Sequence, residues 1–484
     1  VPKLSEVDHN DEIYFTKVSD ITPANSVITN ELRTMPQETE KSRFFRFHRS
    51  KWMTCSSTTT TTALTLSVIS AYWSFDGNAN DMYGVYNGIL NGITLPVYGT
   101  AANTYFDSGL SISCSSVSQQ YIAITNYFNL ANQSFTFEAW IYPTSVSGDN
   151  VLMSQCTCTY CPSQCLILLI RNGRAYMGFN SNDLLGTTLI TTSAWYHIAF
   201  VYNYQTLQQI IYIDGVQDNL RSNAQPYQGY NGTLYLARSV LTGTYYSGWL
   251  DNVALTTRAK IATEIFNDAT QIFYFSFDQP SPYYDNGPNR LNSTNQQNLV
   301  SAIGHINQSI RFSASSAYFQ MFAFTSIGSP NTKPFTFAVW INPTSVNGGI
   351  IIHWSGSSAG NNNQQELLGF TYSGQIVAQL YQSSSVIPVV SGPFVTVNTW
   401  NHLAYTFSTT NGVTLYVNGV SQGTSGAVSY YSNAGGAGIY ITLGYSFGYS
   451  NNYIGNYPFQ GTMDEFYAYR RELSSLEIAI LANT

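Results

Sequence analysis

The chain has 484 residues, a formal net charge of -7, and 9% charged, 44% apolar and 15% aromatic residues. Average soluble proteins carry roughly 25% charged residues, so this surface is polar without being ionic, which suits a secreted β-protein better than a cytosolic enzyme. The acidic balance offers no basic stripe for nucleic acid, and no apolar run approaches the ~18 residues of a membrane helix. The first residue is Val1, not a start methionine, so the chain reads as processed or partial, with any signal peptide upstream.

Residues 1–54 hold 16 of the 45 charged residues, eight of each sign, and are expected to form an extended, charged N-terminal arm. Ile13-Tyr14-Phe15-Thr16-Lys17-Val18 reads as extended strand more than helix. The basic–aromatic segment Lys41 to Lys51 offers an Arg-x-x-Arg processing site, a surface for acidic or glycan partners, or a docked arm whose charges face water. An arm of this composition does not fold alone, so it is expected to dock on its own domains or on a neighbouring subunit. Residues 55–70 follow as a Ser/Thr-rich linker or added strand. In it Leu64, Leu66 and Val68 alternate with period two and point to one face, the pattern of a strand donated to a sheet.

From about residue 71 the chain repeats itself. Phe135-Thr136-Phe137-Glu138-Ala139-Trp140-Ile141-Tyr142-Pro143 returns about 200 residues on as Phe335-Thr336-Phe337-Ala338-Val339-Trp340-Ile341-Asn342-Pro343. Tyr72 to Asp76 matches Tyr274 to Asp278, Trp195 to Phe200 matches Trp400 to Tyr405, and Tyr212 to Val216 matches Tyr416 to Val420. A repeat of this length is a duplicated domain, since solenoid units span only about 20–50 residues. The boundaries read as 71–270 and 271–484. Both copies show short alternating apolar runs between turn residues, hence strands. Asp214-Gly215 and Asn418-Gly419 favour the positive φ angles of two-residue hairpins. Ser474-Ser475-Leu476-Glu477 is a capping box opening a closing helix. Its counterpart near Ile261 to Phe266 runs almost straight into the second copy, so the tandem is expected to be held in a fixed orientation.

The six cysteines are Cys55, Cys114, Cys156, Cys158, Cys161 and Cys165. The last four form one Cys-x-Cys-x-x-Cys-x-x-x-Cys cluster. Zinc ligands usually come as two separated pairs, which favours a disulfide-laced hairpin, with Cys156–Cys165 around Cys158–Cys161 the simplest nesting. Cys55 and Cys114 are left to pair with each other or with neighbouring molecules. Four Asn-x-Ser/Thr sequons, at Asn132, Asn231, Asn292 and Asn307, also suit a secreted glycoprotein.

These motifs, with Gly248-Trp249-Leu250-Asp251 and Gly461-Thr462-Met463-Asp464 closing each copy, resemble the laminin G-like, concanavalin A-like superfamily. The resemblance implies an all-β fold: two tandem jelly-roll β-sandwiches, each of two packed antiparallel sheets, preceded by the arm. It further implies a structural Ca²⁺ site in each opening loop. Asp76, Asp81, Asn87 and Asp251 would supply it in the first copy, and Asp278, Asp285, Asn289 and Asp464 in the second, whose loop lacks the Gly-Asn-x-Asn run. The alternative for these acids is turn hydrogen bonding.

No Glu-x-Asp-x-x-Glu run, Gly-x-Ser-x-Gly elbow or His-Glu-x-x-His motif is present, so the chain is expected to be non-catalytic. His197 and His402, each beside a strand Trp, read as packing residues. Two functions follow. One is an extracellular structural or adhesive protein that self-associates through its arm into a filament or surface layer. The other is a calcium-dependent lectin, which needs loop aromatics grouped with amides or carboxylates. Tyr430-Tyr431-Ser432-Asn433 and Tyr445 to Tyr453 are its candidates.

Overall fold

The computed structural model describes residues 68–99, 109–322, 333–382, 386–430, 439–449 and 453–484. The arm, Cys55, Leu64 and Leu66 lie outside these residues; Val68 is exposed. The strand that follows, Ser70–Trp73, pairs in cis with Gly248–Thr256, so it belongs to the first sandwich.

Each copy is a sandwich of two sheets whose main strand paths are antiparallel and follow the same order; in the second copy Tyr457–Pro458 adds a short parallel pairing to Gly349–Ser355. In the first copy one sheet runs Val216–Arg221, Gln208–Ile213, Tyr196–Asn203, Phe135–Pro143, Gly248–Thr256, Ser111–Cys114, Val97–Gly99. Its partner sheet centres on Asp149–Cys156 and Cys165–Arg171. Alternation dictates the layering. Phe135, Phe137, Ala139 and Ile141 point between the sheets into one apolar core, while Thr136, Glu138 and Trp140 take the opposite, outward face. Phe335, Phe337, Val339 and Ile341 do the same in the second copy.

Both predicted hairpins form. Asp214 and Gly215 have φ of 51° and 81°, Asn418 and Gly419 of 50° and 78°. The side chain of each first turn residue accepts the N–H of the matching histidine, His197 (3.0 Å) or His402 (2.8 Å). Glycine is required at the second position for space as well, since a Cβ on Gly215 would lie 2.9 Å from the Phe266 Cα. Helix α1 (Ala262–Thr270) therefore seats closely on the outward sheet face, against Ala199, Val201 and Tyr212. Helix α2 (Ser475–Leu481) does so in the second copy, with Ser474 and Glu477 completing the capping box.

Helix α1 ends at Thr270 and the next strand starts at Gln271. The sandwiches are also bonded side by side. The Arg470 backbone N–H donates to Thr270 (2.8 Å) and its guanidinium to the Ala269 carbonyl (2.7 Å). The same guanidinium lies 4.7 Å above the Trp140 ring, and Trp140 is continuous with the second sandwich's core. Arg471 donates to Thr270 Oγ1 and Asn267 Oδ1. Arg470→Ala removes one charged hydrogen bond, one cation–π contact and a 3.5 Å ion pair with Asp214, the first two worth about 2–3 kcal/mol together and the exposed pair little more. Calorimetry should show the variant unfolding several degrees below wild type or in more separated steps; an unchanged endotherm would mean that the sandwiches do not depend on this contact.

Candidate functional site

The opening-loop acids separate into two kinds. Asp81 accepts the N–H of Tyr72 on Oδ1 and those of Val85 and Tyr86 on Oδ2, while Asn87 Oδ1 accepts the Asp81 N–H. Asp285 takes the N–H groups of Tyr274, Gly287 and Leu291. Asn289 holds the carbonyls of Gln271 and Ile272. In the second copy Asp464 receives the N–H groups of His305, Ile306 and Glu465, and Asp278 that of Gln308. Each of these acids thus fastens a turn through backbone N–H groups.

In the first copy Asp251 is buried, and burial, aided by the charge of Asp76, pushes its carboxyl well above the usual range. It forms no ion pair among the described residues. No group of three acidic, His or Cys side chains gathers into a cation shell among the described residues. Calcium takes six to eight oxygens, so loop carbonyls and water would complete such a shell.

The cysteine cluster forms both expected bonds, Cys156–Cys165 and Cys158–Cys161, closing a hairpin whose tip carries exposed Tyr160. Cys114 is a free, buried thiol, pushed by burial up to about 12. All four sequon asparagines are exposed.

The tyrosine loops divide as well. Tyr430 is buried, edge-on to Phe335, Trp354 and Phe407. Its apolar neighbours outcompete solvent for the ring. Tyr431 to Asn433 and Ser450 to Asn452 lie outside the described residues. Tyr445 packs on Tyr318 and Phe447. A pair that the sequence did not single out is open to solvent: Tyr372 and Tyr457, 59% and 55% exposed, meet edge to face at 5.6 Å. The Tyr372 hydroxyl donates to Asn456 Oδ1 at 2.7 Å. They are 85 residues apart, so periodicity gave no hint of the pairing.

A polar cleft of about 360 Å³ lies between the outward face of the first sandwich and residues 286–290 of the second. On its wall the Lys260 ammonium bonds the buried Glu138 carboxylate and, at 2.7 Å, Asp268 on α1. Burial pushes the Glu138 carboxyl up to about 7 against the pull of Lys260; burial lowers the Lys260 pKa in turn, but the charges and hydrogen bonds of Glu138 and Asp268 together outweigh burial and raise it. His197 Nε2 stands 3.7 Å from Glu138 Oε1. Burial, with Arg470 and Lys260 nearby, keeps that imidazole neutral well below its ordinary pKa. At the matching places the second sandwich has Ala338, Leu473 and Leu481, an apolar contact. This charged cluster was missed in the sequence, where the mismatch of the two copies at Glu138 and Lys260 was the available signal.

Residues 116–266 and 314–479 match a laminin G model of the concanavalin A-like lectin/glucanases superfamily. Over half of the chain is covered, and the protein belongs to that family. Comparison with curated protein sequences finds no match. Among solved structures the chain is similar to domain 4 of AbnA, an extracellular arabinanase of family GH43 from Geobacillus stearothermophilus, in complex with arabinotriose. That pair is 17% identical, covering 40% of this chain and 95% of that one, with a TM-score of 0.34. Domains LG4-5 of the mouse laminin alpha1 chain align at 10% identity over 84% and 91%, TM-score 0.24. The receptor binding domain of botulinum neurotoxin type G aligns at 9% over 80% and 100%, TM-score 0.33. These likenesses concern fold alone. No helix among the described residues is long and apolar enough to cross a membrane.

The Glu138 carboxyl yields a pH signature. A folded-state pKa of about 7 against 4.5 for the free group means that the folded protein binds this proton more readily than the unfolded chain. The residue's contribution is greatest below about pH 4.5 and is lost as pH rises towards 7. Thermal midpoints of wild type and Glu138→Gln, compared from pH 4 to 8, should therefore diverge, wild type losing ground as pH rises. A constant difference would refute the assignment.

Proposed function

We propose that this is a non-catalytic, extracellular adhesive protein that binds glycans through the aromatic loops of its second sandwich. The observation that carries this is the exposed Tyr372–Tyr457 pair with Asn456 beside it. Two rings held at a fixed angle offer apolar faces for the C–H faces of a sugar, and the adjoining amide offers hydrogen bonds to its hydroxyls. Aromatic side chains cost little conformational entropy when they bind. Two disulfides, exposed sequons and a surface poor in charge support an extracellular setting. On a glycan array, wild type should bind a restricted set of glycans. Tyr372→Ala/Tyr457→Ala, with an unchanged melting profile, should weaken that binding at least ten-fold. Array signals indifferent to both tyrosines would eliminate this site.

In the same reading Asp76 and Asp251 bind a structural calcium ion in the first sandwich. Two carboxylates, one of them buried beside the other's charge, are costly to keep ionised and gain from a cation. Calcium at about 100 times its Kd should then stabilise the fold by about 2.7 kcal/mol, read as a rise in thermal midpoint that chelator reverses. Asp251→Asn should abolish the rise. No calcium-dependent shift in wild type would remove the ion from this account.

A further inference from the structure

The two copies also differ on the other side of the sandwich. Ile122, Ile124, Leu234 and Leu236 enter the first core, so alternation turns Tyr121 and Tyr235 to the outward face of the sheet that holds Asp149–Cys156. The frame there is built twice. Leu236 pairs with Ile122 as Leu443 pairs with Phe319, and the next residue, Ala237 or Gly444, turns left-handed with φ of 65° or 84°. Each of these donates its N–H to the neighbouring strand, at Leu152 or Ile351, and accepts one from Tyr246 or Phe459. Arg238 and Tyr445 therefore hold equivalent places, beside Tyr121 and Tyr318. In the second copy Tyr445 packs on Tyr318 and Phe447. The first copy puts a cation at that place, so the fold itself does not call for one.

Aromatic rings hold Arg238 in position. Its guanidinium carbon lies 4.6 Å from the centre of the Tyr121 ring, 5.2 Å from that of Tyr235 and 5.8 Å from that of Tyr245. Tyr121 meets Tyr235 edge to face at 5.7 Å and Tyr245 at 6.2 Å. The Arg238 backbone bridges to Tyr245, and its carbonyl accepts the Ser154 hydroxyl at 2.7 Å. Among the described residues Arg238 forms no ion pair, and neither its guanidinium nor any of the three tyrosine hydroxyls has a hydrogen-bond partner. None of these polar atoms is enclosed, and all four residues are partly exposed. Acids outnumber bases in the chain, 26 to 19, so the missing partner is not for want of carboxylates. A free guanidinium presents its N–H donors as a planar fork that matches the paired oxygens of an oxyanion. Stacking on the rings restricts the side chain before a ligand arrives, which favours binding.

We infer that Arg238 with Tyr121, Tyr235 and Tyr245 forms a second ligand site, which takes an acidic saccharide. Its carboxylate or sulfate accepts from the guanidinium while its hydroxyls meet those of the tyrosines. That the carrier is a saccharide rests on the glycan-binding reading above; that the ligand bears an oxyanion does not. The site stands on the first sandwich and the Tyr372–Tyr457 pair on the second, so the two are separable by mutation.

Saturation-transfer NMR of the full chain carrying Tyr372→Ala/Tyr457→Ala tests this with glucuronic acid, N-acetylneuraminic acid, galactose 6-sulfate and galactose. At least one acidic sugar should bind where galactose does not, and more weakly as salt is raised; which sugars respond tells carboxylate from sulfate. Arg238→Gln, and Arg238→Tyr, which matches the second copy, should each weaken that binding about ten-fold or more. Acidic-sugar binding indifferent to both substitutions overturns the site, and so does the absence of such binding. A glutamate peptide that binds through Arg238 where every sugar fails overturns the saccharide. The glycan-binding reading is judged separately, in the chain with both second-sandwich tyrosines intact. Sugar binding there that the paired tyrosine variant loses leaves that reading standing when the Arg238 site falls; no sugar binding at all overturns both. If neither arginine variant folds, amide exchange of wild type decides alone: the acidic sugar should slow it in 121–124 and 234–246, and unchanged exchange there overturns the site.

Discussion

The tandem depends on what covers the outward face of the sheet that carries Phe135–Pro143. A sheet in a sandwich buries one face in the core and must still dispose of the other. Here the C-terminal helix of each copy covers part of it, admitted to close range by a hairpin glycine. In the first copy the second sandwich covers much of the rest. Arg470 is the centre of that contact, because one side chain satisfies a helix-end carbonyl, lies on Trp140 and approaches Asp214 at 3.5 Å. A helix C-terminus leaves carbonyls without partners, and a cation there answers both the hydrogen-bond and the dipole requirement.

That contact explains why two copies of one fold are not interchangeable. The second sandwich can seal its outward face with Ala338, Leu473 and Leu481, since only its own helix α2 must fit there. The first has to meet a neighbour. A polar seam specifies one docking arrangement more sharply than an apolar one, because any shift strands a charge. The cleft is a consequence: rigid sandwiches meeting through a few long side chains do not fill the space between them.

Much of the architecture was readable in the sequence. The repeated Phe-Thr-Phe-x-x-Trp-Ile strand, the Asp-Gly and Asn-Gly turns, the capping box at Ser474 and the nested cysteines each encode a local geometry, and each appears as expected. What composition could not separate was two uses of the same residues. An acid-rich turn and a cation loop share Asp, Asn and Gly; Asp81 and Asp285 became fasteners because three backbone N–H groups converge on each. Tyr430 looked like a loop residue yet is core, since nothing local reports which loop folds inward. The Tyr372–Tyr457 pair and the Glu138–Lys260 bond join positions 85 and 122 residues apart, contacts that only the tertiary fold creates.

The comparison of copies carries further than comparison with other proteins does here, because both copies share one solvent and one chain. Where they agree, as at His197 and His402 beside their tryptophans, the residue serves the sandwich. His402 shows that an imidazole is accepted there with both ring nitrogens unpartnered, so the pocket itself does not demand a carboxylate neighbour. Glu138 is therefore not present to satisfy His197. In a chain with so few charges, Glu138, Lys260 and Asp268, of which Glu138 alone is fully buried, set the first copy's outward face apart from the second's, where apolar residues fit the same frame.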